Sequence, residues 1–150
     1  MKPEKVFADT NIFLRYLTND VPDQADAVEE LFRSAAIGDI LLITNSLVIA
    51  EIVWTLESFY KLSREDIQVK VLAILNTPGL EVADSDLILQ AIAWYKDKNV
   101  DFLDGYNGAW LTSQGIKTAY TFDQKHFSRF EGISVKVPVL LTNRHAPPGA

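Results

Sequence analysis

The chain predicts an α/β fold with a mainly parallel central sheet of four or five strands. Two observations carry this. Short apolar runs of strand length alternate with longer segments of helical periodicity. The stretches between strands are long enough to be right-handed crossover helices. At 150 residues, with 48% hydrophobic and 11% aromatic content, the chain suits one domain with a substantial core.

The elements follow in order. Lys5 to Ala8 reads as the first strand, and its apolar run stops at Asp9. Asn11 to Leu17 reads as a short helix. Pro22 to Ile37 reads as a longer one, with Ala27, Val28, Leu31, Phe32 and Ala35 on one face. Ile40 to Ile43 is a second strand. Ser46 is the expected N-cap of a helix running through Phe59. Ser63-Arg64-Glu65-Asp66 has the form of a capping box and opens a helix with Ile67, Val71, Ile74 and Leu75 inward. Thr77-Pro78-Gly79 stops it and turns. Leu80 to Ala83 is a short strand. Asp84 or Ser85 then caps a helix carrying Leu87, Ile88, Ala91, Ile92 and Tyr95. The next helix starts near Asp101 and stops at Gly115, a favourable residue just past a helix end. Lys117 to Phe122 and Ile133 to Val137 are the last strands. Residues 1–142 are expected to form the domain, and 143–150 a flexible tail.

Composition narrows the function classes. Zero cysteines exclude disulfides and thiolate metal sites. No apolar run approaches the roughly 20 residues a membrane helix needs. The Met1-Lys2-Pro3-Glu4-Lys5 start has no signal-peptide pattern, so a cytoplasmic location is expected, with no membrane partner. The net charge of −6 argues against a broad basic surface gripping nucleic acid. A metal bound to carboxylates would cancel part of that charge locally, so a nucleic-acid substrate stays open.

Four acidic residues sit in apolar surroundings: Asp9 after Val6-Phe7-Ala8, Glu51 within Leu47-Val48-Ile49-Ala50-Glu51-Ile52-Val53, Asp104 closing Asp101-Phe102-Leu103-Asp104, and Asp123 in Thr121-Phe122-Asp123. Such carboxylates are costly without compensation. No matched lysines or arginines accompany them, so a divalent cation is the natural compensator. Oxygen-only ligands suit Mg²⁺ or Mn²⁺ and point to phosphate chemistry.

Topology lets the four meet. Asp9 and Asp123 each follow a strand, at the carboxyl edge where open α/β folds bind ligands. Glu51 lies about 7.5 Å along a helix that begins at that edge, at about 1.5 Å rise per residue. Asp104 opens a helix whose N-terminus returns there. Each also has a plainer explanation. Asp9 fits a helix cap equally well, Glu51 an exposed helix position, Asp101 and Asp104 the helix dipole, and Asp123 a turn before His126.

Other chemistries find less support. His126 and His145 are the only histidines, which disfavours histidine acid–base catalysis. His126 reads as structural, with an acid or phosphate-contact role as its alternative. No nucleophilic triad or glycine-rich phosphate loop is visible. Arg15, Lys61, Arg64, Lys125 and Arg129 read mainly as ordinary surface charge, with phosphate contact as the alternative.

These motifs resemble the PIN-domain family, and within it the VapC-type ribonuclease toxins, over about residues 4–140. The stretch from Asp9 to Leu17 looks like the family's opening motif. The helix with Glu51, the Asp101-to-Asp104 segment and the Thr121-to-Phe127 segment follow in the family's order. The resemblance implies a three-layer α/β/α PIN-like fold. It implies that Asp9, Glu51, Asp104 and Asp123 form the metal-binding and catalytic quartet, with Thr10, Asn11, Asp101 and Thr121 in support. It further implies Mg²⁺- or Mn²⁺-dependent hydrolysis of RNA, a small antitoxin partner and a homodimer. Gly105 departs from the alanine usual after the third acidic residue, and Asn107 is a polar residue one turn after Asp104. An RNA-maturation nuclease without an antitoxin and a catalytically silent PIN module are the alternatives. A haloacid dehalogenase-type phosphatase needs a second aspartate where Asn11 stands.

Overall fold

The computed structural model describes residues 2–140; the expected tail, 143–150, lies outside them. The elements are β1 (Glu4–Phe7), α1 (Thr10–Thr18), α2 (Pro22–Ala36), β2 (Ile40–Thr44), α3 (Ser46–Ser58) and α4 (Arg64–Leu75). They continue with β3 (Leu80–Val82), α5 (Ser85–Asp97), α6 (Phe102–Ser113), β4 (Thr118–Tyr120), α7 (Gln124–Phe127) and β5 (Ser134–Lys136). The α/β class and the parallel pairing stand as expected.

The sheet is divided. β1, β2 and β3 form one parallel sheet with β2 central, in the register Val6–Leu42 and Leu42–Leu80. β4 and β5 form a second parallel pair, in the register Ala119–Val135. The expected single sheet of four or five strands is therefore a three-stranded and a two-stranded sheet, and β1 and β4 are both edge strands. The short β4 leaves Phe122, expected at the strand end, 81% exposed.

Buried side chains from α1 to α6 make one apolar cluster. Leu42, Ile49, Ile52, Leu56, Ile67, Val71, Ile88, Ile92 and Tyr95 are among its fully enclosed members. Phe13 and Tyr16 pack their rings against Phe32, joining α1 to α2. Small residues set the closest approaches. A Cβ on Gly79, where φ is +78°, would lie 2.2 Å from the Ala35 carbonyl oxygen, so this turn requires glycine.

The carboxyl edge of the three-stranded sheet is held by cross-links between strand ends. The Ala8 amide donates to the Ile43 carbonyl at 2.9 Å. The buried Thr44 hydroxyl donates to the Ala8 carbonyl at 3.0 Å. The Ala83 amide donates to the Thr44 carbonyl at 3.0 Å. Asp9, Asn45 and Asp84 therefore stand in a row, each at the start of a helix.

Two caps differ in detail from expectation. Asn45, not Ser46, caps α3, because its extended backbone lets its Oδ1 accept from the Val48 amide at 3.1 Å. The Ser46 hydroxyl turns toward Tyr106 instead. Ser63 caps α4 as expected, accepting from the Asp66 amide at 3.1 Å.

Candidate metal centre and active site

Asp104 occupies the first turn of α6, after the extended N-cap Asp101. Two arginines hold the turn that leads into this helix. Arg64 donates through Nη1 to the carbonyls of Tyr95 at 2.6 Å and Val100 at 2.8 Å. It also stacks over the Tyr95 ring at 4.1 Å, and its Nη2 lies 3.9 Å from Asp101. Arg129 donates to the carbonyls of Lys98 at 3.0 Å and Asn99 at 2.7 Å. Because Arg129 follows α7, this contact ties the α7 segment to the entrance of α6. Both side chains are thus engaged with main-chain carbonyls, and Arg15 with Gln24 at 2.7 Å.

Asp123 follows β4 and caps α7, a short helix that had not been expected from the sequence. Its backbone amide donates to the Thr121 hydroxyl at 2.9 Å, so Thr121 fixes the turn. The Asp123 carboxylate accepts from the His126 amide at 3.4 Å and lies 2.8 Å from His126 Nδ1. That same Nδ1 is 4.0 Å from Asp104 Oδ2. One carboxylate oxygen of each aspartate and a ring nitrogen of His126 lie within 4.8 Å of one another.

The electrostatics of the two carboxylates differ. Burial pushes the Asp104 pKa up, and the negative charges of Asp101 and Asp123 add to this; His126 opposes it. Exposed Asp123 is held below its usual value, first by the hydrogen bond from the His126 side chain. Among the described residues, His126 is the basic group within 4.0 Å of Asp104. A half-buried carboxylate beside two like charges and no arginine or lysine contact fits a cation-binding position.

Asp9 and Glu51 lie outside this group. Asp9 caps α1, its Oδ1 accepting from the Thr10 amide at 2.7 Å. Glu51 is exposed on α3 and faces a groove between α3 and α6, of about 600 Å³. The groove is lined by Leu47, Trp54, Phe102 and Leu103 and carries Glu51, Glu57 and Asp101. Thr10 is buried and its hydroxyl has no hydrogen-bond partner among the described residues. Asn11 is exposed in the first turn of α1. The residue that sequence reasoning undervalued is His126. Its spacing three residues after Asp123 is the signal that could have found it, since such residues share a helix face.

Gly105 has a packing reason. A Cβ there would lie 3.1 Å from the Ala91 carbonyl oxygen on α5. Gly108, one turn on, receives the Phe130 ring, with a Cβ position only 2.9 Å from it.

A family model described as PIN domain matches residues 6–133. A VapC ribonuclease from Aquifex aeolicus is 30% identical over 117 residues, covering 78% of this chain and 86% of that protein. The crystal structure of Mycobacterium tuberculosis VapC20, described as a sarcin-ricin loop cleaving toxin, matches at 22% identity. That match covers 81% of this chain and 92% of the other, with a TM-score of 0.38. The fold is α/β with parallel strands and acidic residues beyond strand ends, and the chain belongs to the PIN domain family. No helix among the described residues is long and apolar enough to cross a membrane.

Proposed function

We propose that this protein is a metal-dependent endoribonuclease that hydrolyses RNA phosphodiester bonds and serves as the toxin of a toxin–antitoxin pair in the cytoplasm. The observation that carries the reading is the meeting of Asp104 and Asp123 beyond β4, in a PIN chain 30% identical to a VapC ribonuclease.

A bound Mg²⁺ or Mn²⁺ would supply an activated water and offset charge on the phosphate oxygens. Asp104 and Asp123 would hold it, Thr121 keeps the Asp123 turn in place, and Asp101 adds negative field at the entrance of α6. Asp9 and Glu51 would complete the catalytic quartet, Glu51 as a proton acceptor, with Thr10 and Asn11 supporting Asp9. Asp9 and Asp123 follow the two edge strands β1 and β4.

The groove beside Glu51 suits an antitoxin. Trp54 is 69% exposed and Leu103 60% exposed, with carboxylates at the margin. An amphipathic segment that buries apolar side chains there and brings a basic residue to Glu51 or Asp101 would also cover the catalytic face. A homodimer is part of the same reading.

The test is cleavage of a mixed RNA pool by the purified chain with Mg²⁺ or Mn²⁺, with EDTA, and beside Asp104→Asn and Asp9→Asn. Metal-dependent cutting lost in both variants supports the reading. Cutting that persists in EDTA or in Asp104→Asn overturns the metal mechanism. Metal binding without cutting of any RNA favours the catalytically silent module.

A further inference from the structure

We infer that His126 is a direct ligand of the bound metal, and that its nitrogen biases the site toward a first-row transition ion over Mg²⁺. This rests on the reading of Asp104 and Asp123 as metal-holding residues. The family resemblance supplies only oxygen donors at this site. An imidazole stands beside these oxygens, and the fold delivers it: Asp123 caps α7, and the residue three positions later turns back toward the cap.

The distances fit shared coordination. An octahedral ion with ligands at about 2.1 Å separates adjacent donors by about 3.0 Å and opposite donors by about 4.2 Å. His126 Nδ1 is 2.8 Å from Asp123 Oδ2 and 4.0 Å from Asp104 Oδ2. Both separations are close to these two values, so the three donors are near enough to share one ion. An imidazole binds a metal through the lone pair of one ring nitrogen, so a metal at Nδ1 would replace the hydrogen bond to Asp123. Nitrogen donors raise affinity along the transition-metal series, whereas Mg²⁺ prefers carboxylate and water oxygens. The competing role for His126 is to orient Asp123 by hydrogen bonding, as outer partners of metal ligands do. That role would support Mg²⁺ and transition ions alike.

The experiment uses the full chain and Mn²⁺ as the spectroscopic probe. Pulsed electron paramagnetic resonance of the Mn²⁺-loaded protein reads nitrogen coupling to the ion, and calorimetry gives Mn²⁺ and Mg²⁺ affinities. The expected result is a nitrogen coupling that disappears in His126→Gln. Mn²⁺ affinity should fall about tenfold or more, the loss that even an outer ligand partner causes, with Mg²⁺ affinity falling less. Circular dichroism checks that the variant keeps its fold. Mn²⁺ bound without nitrogen coupling, or coupling that survives in His126→Gln, overturns the inference and leaves the nuclease reading standing. Parallel loss of both affinities overturns the selectivity. Failure of the wild-type chain to bind either ion overturns this inference and the metal mechanism together.

Discussion

The guanidinium of Arg129 donates to the carbonyl oxygen of Asn99 at 2.7 Å. With the second bond to Lys98, this joins the segment carrying Asp123 and His126 to the turn that delivers Asp104. The spacing between the two aspartates is therefore expected to depend on a residue that grips main-chain carbonyls.

Arg129→Met keeps the length of the side chain and removes both donations. The expected loss is about 2 kcal/mol in chemical denaturation, the scale of hydrogen bonds from a charged donor. Mn²⁺ affinity measured by calorimetry is expected to fall as well, because the α7 segment is no longer held against α6. Unchanged Mn²⁺ affinity in a folded Arg129→Met would sink the positioning role.

Asp104 gives a pH dependence of definite sign. Its folded pKa is raised, so between its usual value and the folded value the native state binds more protons than the unfolded state. Stability then falls as pH rises through that window and stays lower above it. Asp123 is opposite: its folded pKa is lowered, so its contribution is present above the usual value and lost as pH falls through the folded one. In metal-free buffer, Asp104→Asn should be more stable than wild type near neutrality, and Asp123→Asn less stable. Denaturation from about pH 4 to about pH 7 checks both signs. A destabilised Asp104→Asn at neutral pH would contradict the charge argument.

Gly105→Ala sets helix propensity against packing. Alanine favours a helix by up to about 1 kcal/mol. The new Cβ would press on the Ala91 carbonyl at 3.1 Å, and Ala91 is fully buried in the backbone of α5. Overpacking costs about 1–3 kcal/mol, so a net loss of about 1 kcal/mol is expected. Thermal unfolding decides it, and a higher melting temperature would show that α5 yields.

Thr10→Val tests the unpartnered hydroxyl. Burying an unpaired hydroxyl costs about 1–3 kcal/mol, and valine keeps the branched shape. The variant is expected to gain about 1 kcal/mol in urea unfolding. A loss of similar size would assign the Thr10 hydroxyl a partner in solution, beside Asp9.

Much of the fold was legible in the order of residues. The apolar period placed Val28, Phe32, Ile67, Val71, Ile88 and Ile92 inward, and all are buried, whereas Ala27, expected on the same face, is exposed and Ala25 is buried instead. The turn at Pro78-Gly79 and the cap at Ser63 follow from local chemistry, which depends on neighbours in the chain. The cap at Asn45 escaped because Asn45 and Ser46 offer the same kind of oxygen, and only backbone geometry chooses between them. The α7 helix escaped because four residues are too few for a periodic signal.

By itself the sequence determined the class of the fold, the interior faces of its helices and the acidic residues beyond strand ends, because these follow from local periodicity and residue chemistry. Only the tertiary structure decided which side chains meet. It joined Asp104 to Asp123 and brought in His126, while Asp9 remained at the end of β1 and Glu51 on the exposed face of α3. It also assigned Arg64 and Arg129 to main-chain carbonyls. The reason is that side-chain convergence depends on how the β1–β2–β3 and β4–β5 sheets sit among the helices, and no local pattern carries that long-range placement.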